Sequence, residues 1–138
     1  MFENQMRKRI LIVEDFEANI LVCTLTLEAF GYDFAVARNG KDAIAKFQQE
    51  SFDLILMDVQ MPEIDGYRAT YHIREHEKLM NTGRIPIIGL TAYAMSGDRE
   101  KCLNAGMDDY ITKPFNSDEL EEKLKTHCFP NTAIVQVA

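Results

Sequence analysis

The chain has no tryptophan, only three cysteines and four prolines, and a shortage of positive charge. Each scarcity excludes something. Cys23, Cys102 and Cys128 are odd in number, far apart and free of any CxxC or zinc spacing, so neither a disulfide framework nor a zinc finger is expected. They read as reduced thiols, buried or half-buried in a cytosolic protein. No apolar run approaches the ~18 residues that a membrane-spanning helix needs. The polar stretch from Met1 to Arg9 lacks the layout of a signal peptide, which makes the cytoplasm the expected compartment and no membrane contact by this domain the expectation. Fifteen Lys and Arg face 22 Asp and Glu, a net charge of −7. With no basic stripe to offset that charge, direct nucleic-acid binding is not expected.

What is present fits one compact domain: 138 residues, 46% apolar and 27% charged. Short β-branched runs at Ile10–Val13, Phe34–Ala37, Leu54–Met57, Ile85–Leu90 and Tyr110–Thr112 read as buried parallel strands. Helical spacing fills the gaps. A first helix is expected over Phe16–Phe30, burying Ala18, Leu21, Val22, Leu25 and Ala29, with Gly31 as its stop. A second follows the cap Asn39 and buries Ala43, Ile44 and Phe47. A third follows Asp65-Gly66 with Ala69 and Ile73 inward. A fourth starts near Ser96, uses Cys102 and Leu103, and ends at Gly106. The last opens at Asn116, with Glu119 completing a capping box ahead of Leu120 and Leu124. Five β-α repeats imply right-handed crossovers and a sheet covered on both faces. Residues 1–6 read as a lead-in, 7–128 as the domain and 129–138 as a tail.

Ligands of open α/β sheets sit beyond the carboxyl ends of the strands. The expected strands end in Glu14-Asp15, Asp58, Thr91 and Lys113, so three carboxylates, a hydroxyl and an ammonium should meet on one edge. Carboxylates about 4 Å apart repel by roughly 4 kcal/mol per pair at an effective dielectric near 20. They must take up protons or a cation. An all-oxygen site suits Mg²⁺, which keeps several waters and binds one or two carboxylates plus a phosphate. A carboxylate is also a competent nucleophile toward phosphorus. Mg²⁺, Lys113 and the Thr91 hydroxyl would then share the charge of the transferred group.

Four segments, ILIVEDFEAN, LILMDVQMPEIDGY, PIIGLTAYA and AGMDDYITKPF, carry a close resemblance to the receiver domain of two-component signalling proteins, over about residues 8–127. The style is that of receivers in hybrid histidine kinases. The resemblance implies a flavodoxin-like (βα)5 fold, a doubly wound sandwich with strand order 2-1-3-4-5. It implies Asp58 as phosphoacceptor, Glu14 and Asp15 as metal-binding acids, and a metal contact from the Gln60 backbone carbonyl. The metal would be Mg²⁺, with Mn²⁺ as a substitute. Thr91 and Lys113 match the phosphate-contacting pair, Tyr110 matches the aromatic switch position, and the peptide before Pro114 is expected to be cis. The expected function is a phosphorelay switch that assists its own phosphorylation and dephosphorylation, not a turnover enzyme. A histidine kinase or histidine phosphotransfer protein would be the donor, and the downstream protein is open. Both a stand-alone regulator and a piece of a hybrid kinase fit.

Rival readings fare worse. Phosphohydrolases with an aspartyl-phosphate intermediate use Asp-x-Asp, whereas Gln60 cannot protonate a leaving group. A flavin-binding relative needs a Ser/Thr/Gly-rich phosphate loop, where this chain has Glu14-Asp15-Phe16-Glu17. His72, Glu75 and His76 spell HxxEH, a zinc-hydrolase pattern, on a helix whose Arg74, Glu77 and Lys78 suggest a solvated face. His127, at a helix C-terminus, is expected to need no role beyond its favourable position there.

Overall fold

The computed structural model describes residues 7–92 and 97–130 of the chain. Within them five strands alternate with five helices: β1 Arg9–Val13, α1 Glu17–Ala29, β2 Asp33–Ala37, α2 Gly40–Gln49, β3 Leu54–Asp58, α3 Gly66–Met80, β4 Ile87–Thr91, α4 Asp98–Ala105, β5 Asp109–Thr112 and α5 Ser117–Cys128. The strands form one sheet of order β2-β1-β3-β4-β5, parallel at every pairing. The order reverses at β1, between β2 and β3, and this opens a crevice at the carboxyl edge.

Alternation along each strand divides the core into two layers. Ile10, Ile12, Leu54, Leu56, Ile88 and Leu90 face one side, where Cys23 and Leu27 of α1 and Leu120 and Leu124 of α5 cover them. Leu11, Val13, Ile55, Met57 and Ile87 face the other, under Ala43 of α2, Ala69 and Ile73 of α3 and Cys102 of α4. Because both faces are covered, the central strands read as unbroken apolar runs. Each buried Leu or Ile contributes roughly 1.5–3 kcal/mol, which makes the sheet a stiff base for its edge. All three cysteines are free and buried within these layers.

The expected caps Asn39 and Asn116 act as such, and Asp65 caps α3 as well. The side chains of Asn39, Asp65 and Asn116 accept from the backbone N–H of Asp42, Arg68 and Glu119 at 2.7, 2.9 and 2.9 Å. The expected cap Ser96 lies outside the described residues, as do the lead-in 1–6 and residues 131–138 of the tail. α4 begins at Asp98 with Gly97 before it. Gly106, at its end, has φ +106°, and a Cβ there would meet Arg74 Cγ at 3.1 Å. The position therefore demands glycine on two counts. The peptide before Pro114 is cis.

Two expectations about faces are overturned. α1 buries Ile20, Cys23, Thr26 and Leu27, while Leu21 and Leu25 are 56% and 57% exposed and Ala18 and Ala29 also face out. The helix carries apolar residues on both sides, so spacing alone could not select the inner one. On α4, Leu103 is exposed and Cys102 is buried.

Candidate functional site

Register builds the site one strand at a time. Val13 pairs with Met57, which sets Glu14 beside Asp58. Asp58 pairs with Leu90, one residue short of Thr91, and Thr91 pairs with Thr112, one short of Lys113. The Lys113 backbone N–H also donates to the Thr91 carbonyl at 2.6 Å. Gly66 seals the back of the acid: a Cβ there would lie 2.2 Å from the Asp58 carbonyl oxygen, so only glycine fits.

The side chains converge as the strand ends anticipated. Lys113 Nζ donates to Asp58 Oδ1 at 2.9 Å and lies 3.0 Å from Glu14 Oε1. Asp58 Oδ1 also accepts from the Gln60 backbone N–H at 3.2 Å. Glu14 Oε2 accepts from the backbone N–H groups of Asp15 and Phe16 at 3.2 and 3.1 Å. Glu14 and Asp58 are 0% and 2% exposed, whereas Asp15 faces solvent. Carboxylate oxygens from all three acids lie within 4.8 Å of one another.

One ammonium cannot balance this much charge. Burial raises the Asp58 pKa most, Lys113 pulls it back, and the neighbouring Glu14 carboxylate adds to the rise; the net result is above the ordinary range. Burial would depress Lys113, but its hydrogen bond to Asp58 and the adjoining Glu14 carboxylate outweigh that and hold it above its usual value. Asp58 holds its proton chiefly because it is buried, with Glu14 adding to the effect, and Lys113 holds its own because two carboxylates adjoin it. Glu14 Oε1 meets the ammonium but receives no aligned hydrogen bond, a buried oxygen with capacity to spare. The donor set is oxygen only, which fits a hard divalent cation.

Thr91 is buried at this edge. Tyr110, half-buried, packs against the layer under α2–α4. Gln60 is exposed. The HxxEH residues do not assemble: His72 and Glu75 are exposed, and His76 sets its ring edge-on to Phe47 at 5.8 Å. Among the described residues, the triad of Glu14, Asp15 and Asp58 is the only group of three or more His, Cys, Asp or Glu side chains close enough to share a metal ion.

The expected solvated face of α3 is also corrected, because Arg74 and Glu77 are buried. Arg74 donates to the Gly106 and Ile85 carbonyls at 2.8 and 2.7 Å, and to Glu77 Oε1 and Asp108 Oδ2 at 2.9 Å each. Glu77 Oε2 accepts from the Ile85 N–H at 2.7 Å, and Asp108 Oδ2 from the Ile87 N–H at 2.8 Å. This network stitches α3 to the starts of β4 and β5, at the edge opposite the acids. The clue was available: Glu77 falls four residues after Ile73 and eight after Ala69, on the helix's inner side. His127 likewise has a specific partner, Asp109 Oδ2 at 2.9 Å, which Lys123 shares. Burial works to raise the Asp109 pKa, but those two partners and the Tyr110 N–H prevail and hold it below the usual range.

A flavodoxin-like sheet with a cation-seeking acid pocket at its switch point places the chain among the doubly wound α/β proteins, which bind their ligands at the carboxyl edge of the sheet. Residues 10–125 match the family model of the response regulator receiver domain, and the chain belongs to that family. It is 44% identical over 114 residues to the sensor protein GacS of Pseudomonas syringae pv. syringae, covering 83% of this chain and 13% of that protein. The chain thus spans about an eighth of that relative's length. Among solved structures it resembles the receiver domain of the sensor histidine kinase PA1611 from Pseudomonas aeruginosa, which has a magnesium ion in its active-site cleft. Identity is 42%, TM-score 0.79, and coverage 88% and 98% of the two chains. It also resembles the co-crystal structure of the yeast phosphotransfer protein Ypd1 with the Ssk1 receiver, at 30% identity, TM-score 0.84 and 88% coverage of each chain. The expected family and fold are borne out, and the chain is a receiver domain of two-component signalling.

Proposed function

We propose that Asp58 is the phosphoacceptor and that Glu14, Asp15, Asp58 and the Gln60 carbonyl hold a divalent cation, Mg²⁺ or in its place Mn²⁺. The observation that carries this reading is the buried Glu14–Asp58–Lys113 cluster, in which two carboxylates share one ammonium. An Asp58 oxygen attacks phosphorus, the P–O bond forms as the P–N bond to the donor imidazole breaks, and the imidazole keeps the electron pair. Bound metal would neutralise charge on the phosphoryl oxygens. Lys113, now on Asp58 Oδ1, would move its ammonium to a phosphoryl oxygen, and Thr91 would donate its hydroxyl there. Thr91 and Tyr110 then act as the switch. The module, residues 7–128 between flanking segments, works in the cytoplasm as a switch and not as a turnover enzyme.

The donor, a histidine kinase or phosphotransfer protein, would dock on the apolar side of α1. Phe16, Leu21 and Leu25 are exposed there, immediately after Asp15. Intact mass spectrometry after treatment with acetyl phosphate tests the acceptor. One phosphoryl group is expected on the wild type with Mg²⁺, and none with EDTA or on Asp58→Asn; equal labelling of both proteins removes the assignment. Leu21→Glu with Leu25→Glu should slow transfer from a phosphotransfer protein at least about tenfold, a loss of about 1.4 kcal/mol, and leave acetyl phosphate labelling unchanged. Equal slowing of both would place the defect in the chemistry instead of the docking.

A further inference from the structure

A second cavity of about 550 Å³ opens between the β3–α3 loop and α4. Met61, Pro62 and Tyr67 give it an apolar side, and Asp65, Asp98 and Lys101 supply its charge. Asp98 is the unusual member. It is 9% exposed, and its Oδ2 accepts no hydrogen bond. A buried carboxylate oxygen left without a donor is costly, and native structures rarely tolerate one without a reason. The first helical position favours the negative charge but gives that lone pair no partner. Asp65 Oδ1, by contrast, is engaged by the Arg68 N–H at 2.9 Å.

We propose that this cavity binds a planar organic cation, a guanidinium or amidinium carried on an apolar stem, with its N–H groups on Asp98. The stem would lie along Met61, Pro62 and the Tyr67 ring, and the head would supply the missing donors. A planar N–H fork matches a carboxylate better than a point ammonium does. Two acids outweigh the single Lys101 at the wall, and the whole chain carries −7, so the field favours a cation. A compact aromatic amidine fits easily within the volume. The same chemistry can arrive as a free small molecule or as an arginine side chain of a partner. Thr91 also lines this cavity, so an occupant would touch the residue assigned above to the switch.

The test is a ¹⁵N NMR titration of the full chain in saturating Mg²⁺, which keeps cations off the Glu14–Asp58 edge. The probes are benzamidine, neutral benzamide and the peptide acetyl-Leu-Arg-Leu-amide. Benzamidine should shift the amides of Tyr67, Thr91 and Lys101, and benzamide should not. Asp98→Asn should weaken benzamidine at least about tenfold, in line with about 1.4 kcal/mol per decade. Lys101→Ala, which removes the competing cation without touching Asp98, should tighten it. Peptide shifts at the same amides would identify a partner's arginine as the source, and benzamidine shifts alone a free small cation. The proposal is overturned if benzamide binds equally, if Asp98→Asn binds as wild type does, or if no shift appears at this cavity. None of these readouts depends on phosphorylation, so the two proposals fail separately.

Discussion

The two edges of the sheet each carry a buried ionic cluster, and they are built on opposite terms. At the amino edge Arg74 is matched by Glu77, Asp108 and two carbonyls, and the second oxygen of each acid has its own donor, Ile85 for Glu77 and Arg84 for Asp108. At the carboxyl edge Glu14 and Asp58 crowd one lysine, and Glu14 Oε1 goes without an aligned bond. The first cluster is complete by itself. The second carries two carboxylates against one ammonium and leaves an oxygen open. Satisfied polar burial marks structure, and unsatisfied burial marks a site, because a group that lacks its partner in the resting fold has been left able to take one.

Breaking each cluster should therefore have opposite consequences. The largest effect is expected from Arg74→Ala, which takes the guanidinium from the buried Glu77 carboxylate and one partner from the half-buried Asp108. Removing one partner of a buried pair costs about 3–5 kcal/mol, so the urea midpoint should fall sharply. An unchanged midpoint would mean that water replaces the guanidinium and that the amino edge is not as closed as its bonds indicate.

A smaller energy governs the switch. One hydrogen bond to a charged group contributes about 1.5–3 kcal/mol, whereas turning a 1:99 population into 99:1 takes about 5.5 kcal/mol. On the proposed mechanism the Thr91 hydroxyl would bias the response without supplying all of it, and Lys113 and a bound metal would add the rest. Thr91→Ala should still accept a phosphoryl group, yet lose most of the NMR shift changes that beryllofluoride produces in residues 97–124. Shifts equal to those of wild type would route the response through another contact.

The least effect on folding is expected where charges are in surplus. Replacing Glu14 and Asp15 together with Ala removes like charges from a crowded edge, so metal-free stability should stay within about 1 kcal/mol of wild type or rise. Mg²⁺ affinity, followed by calorimetric titration, should drop severely in the same protein. Collapse of the fold would move this cluster into the same category as Arg74 and erase the contrast between the edges.

Much of this arrangement was legible beforehand. The β-branched runs set strands to within two residues, and the polar residue after each run reached the carboxyl edge, because a parallel strand places its last residue there whatever packs around it. Helix caps at Asn39 and Asn116 were equally local, since a side chain three residues from its N–H needs no distant partner. The failures were matters of face. Leu21 and Leu25 had the spacing of an inner stripe, and so did Ile20, Cys23 and Leu27; only the docking of α1 against α5 chose between them. Arg74 and Glu77 looked like solvent residues because charge usually is. Arg74's partners Gly106 and Asp108 lie about thirty residues away, brought close only when α4 packs beside α3. Asp98 is the same kind of case, an ordinary first-turn acid in sequence whose burial and missing partner exist only in the folded cavity. The sequence by itself determined which groups reach the edge, since period and chain direction are local properties. Tertiary structure alone decided which polar groups find partners, because satisfaction depends on the geometry of residues far apart in the chain.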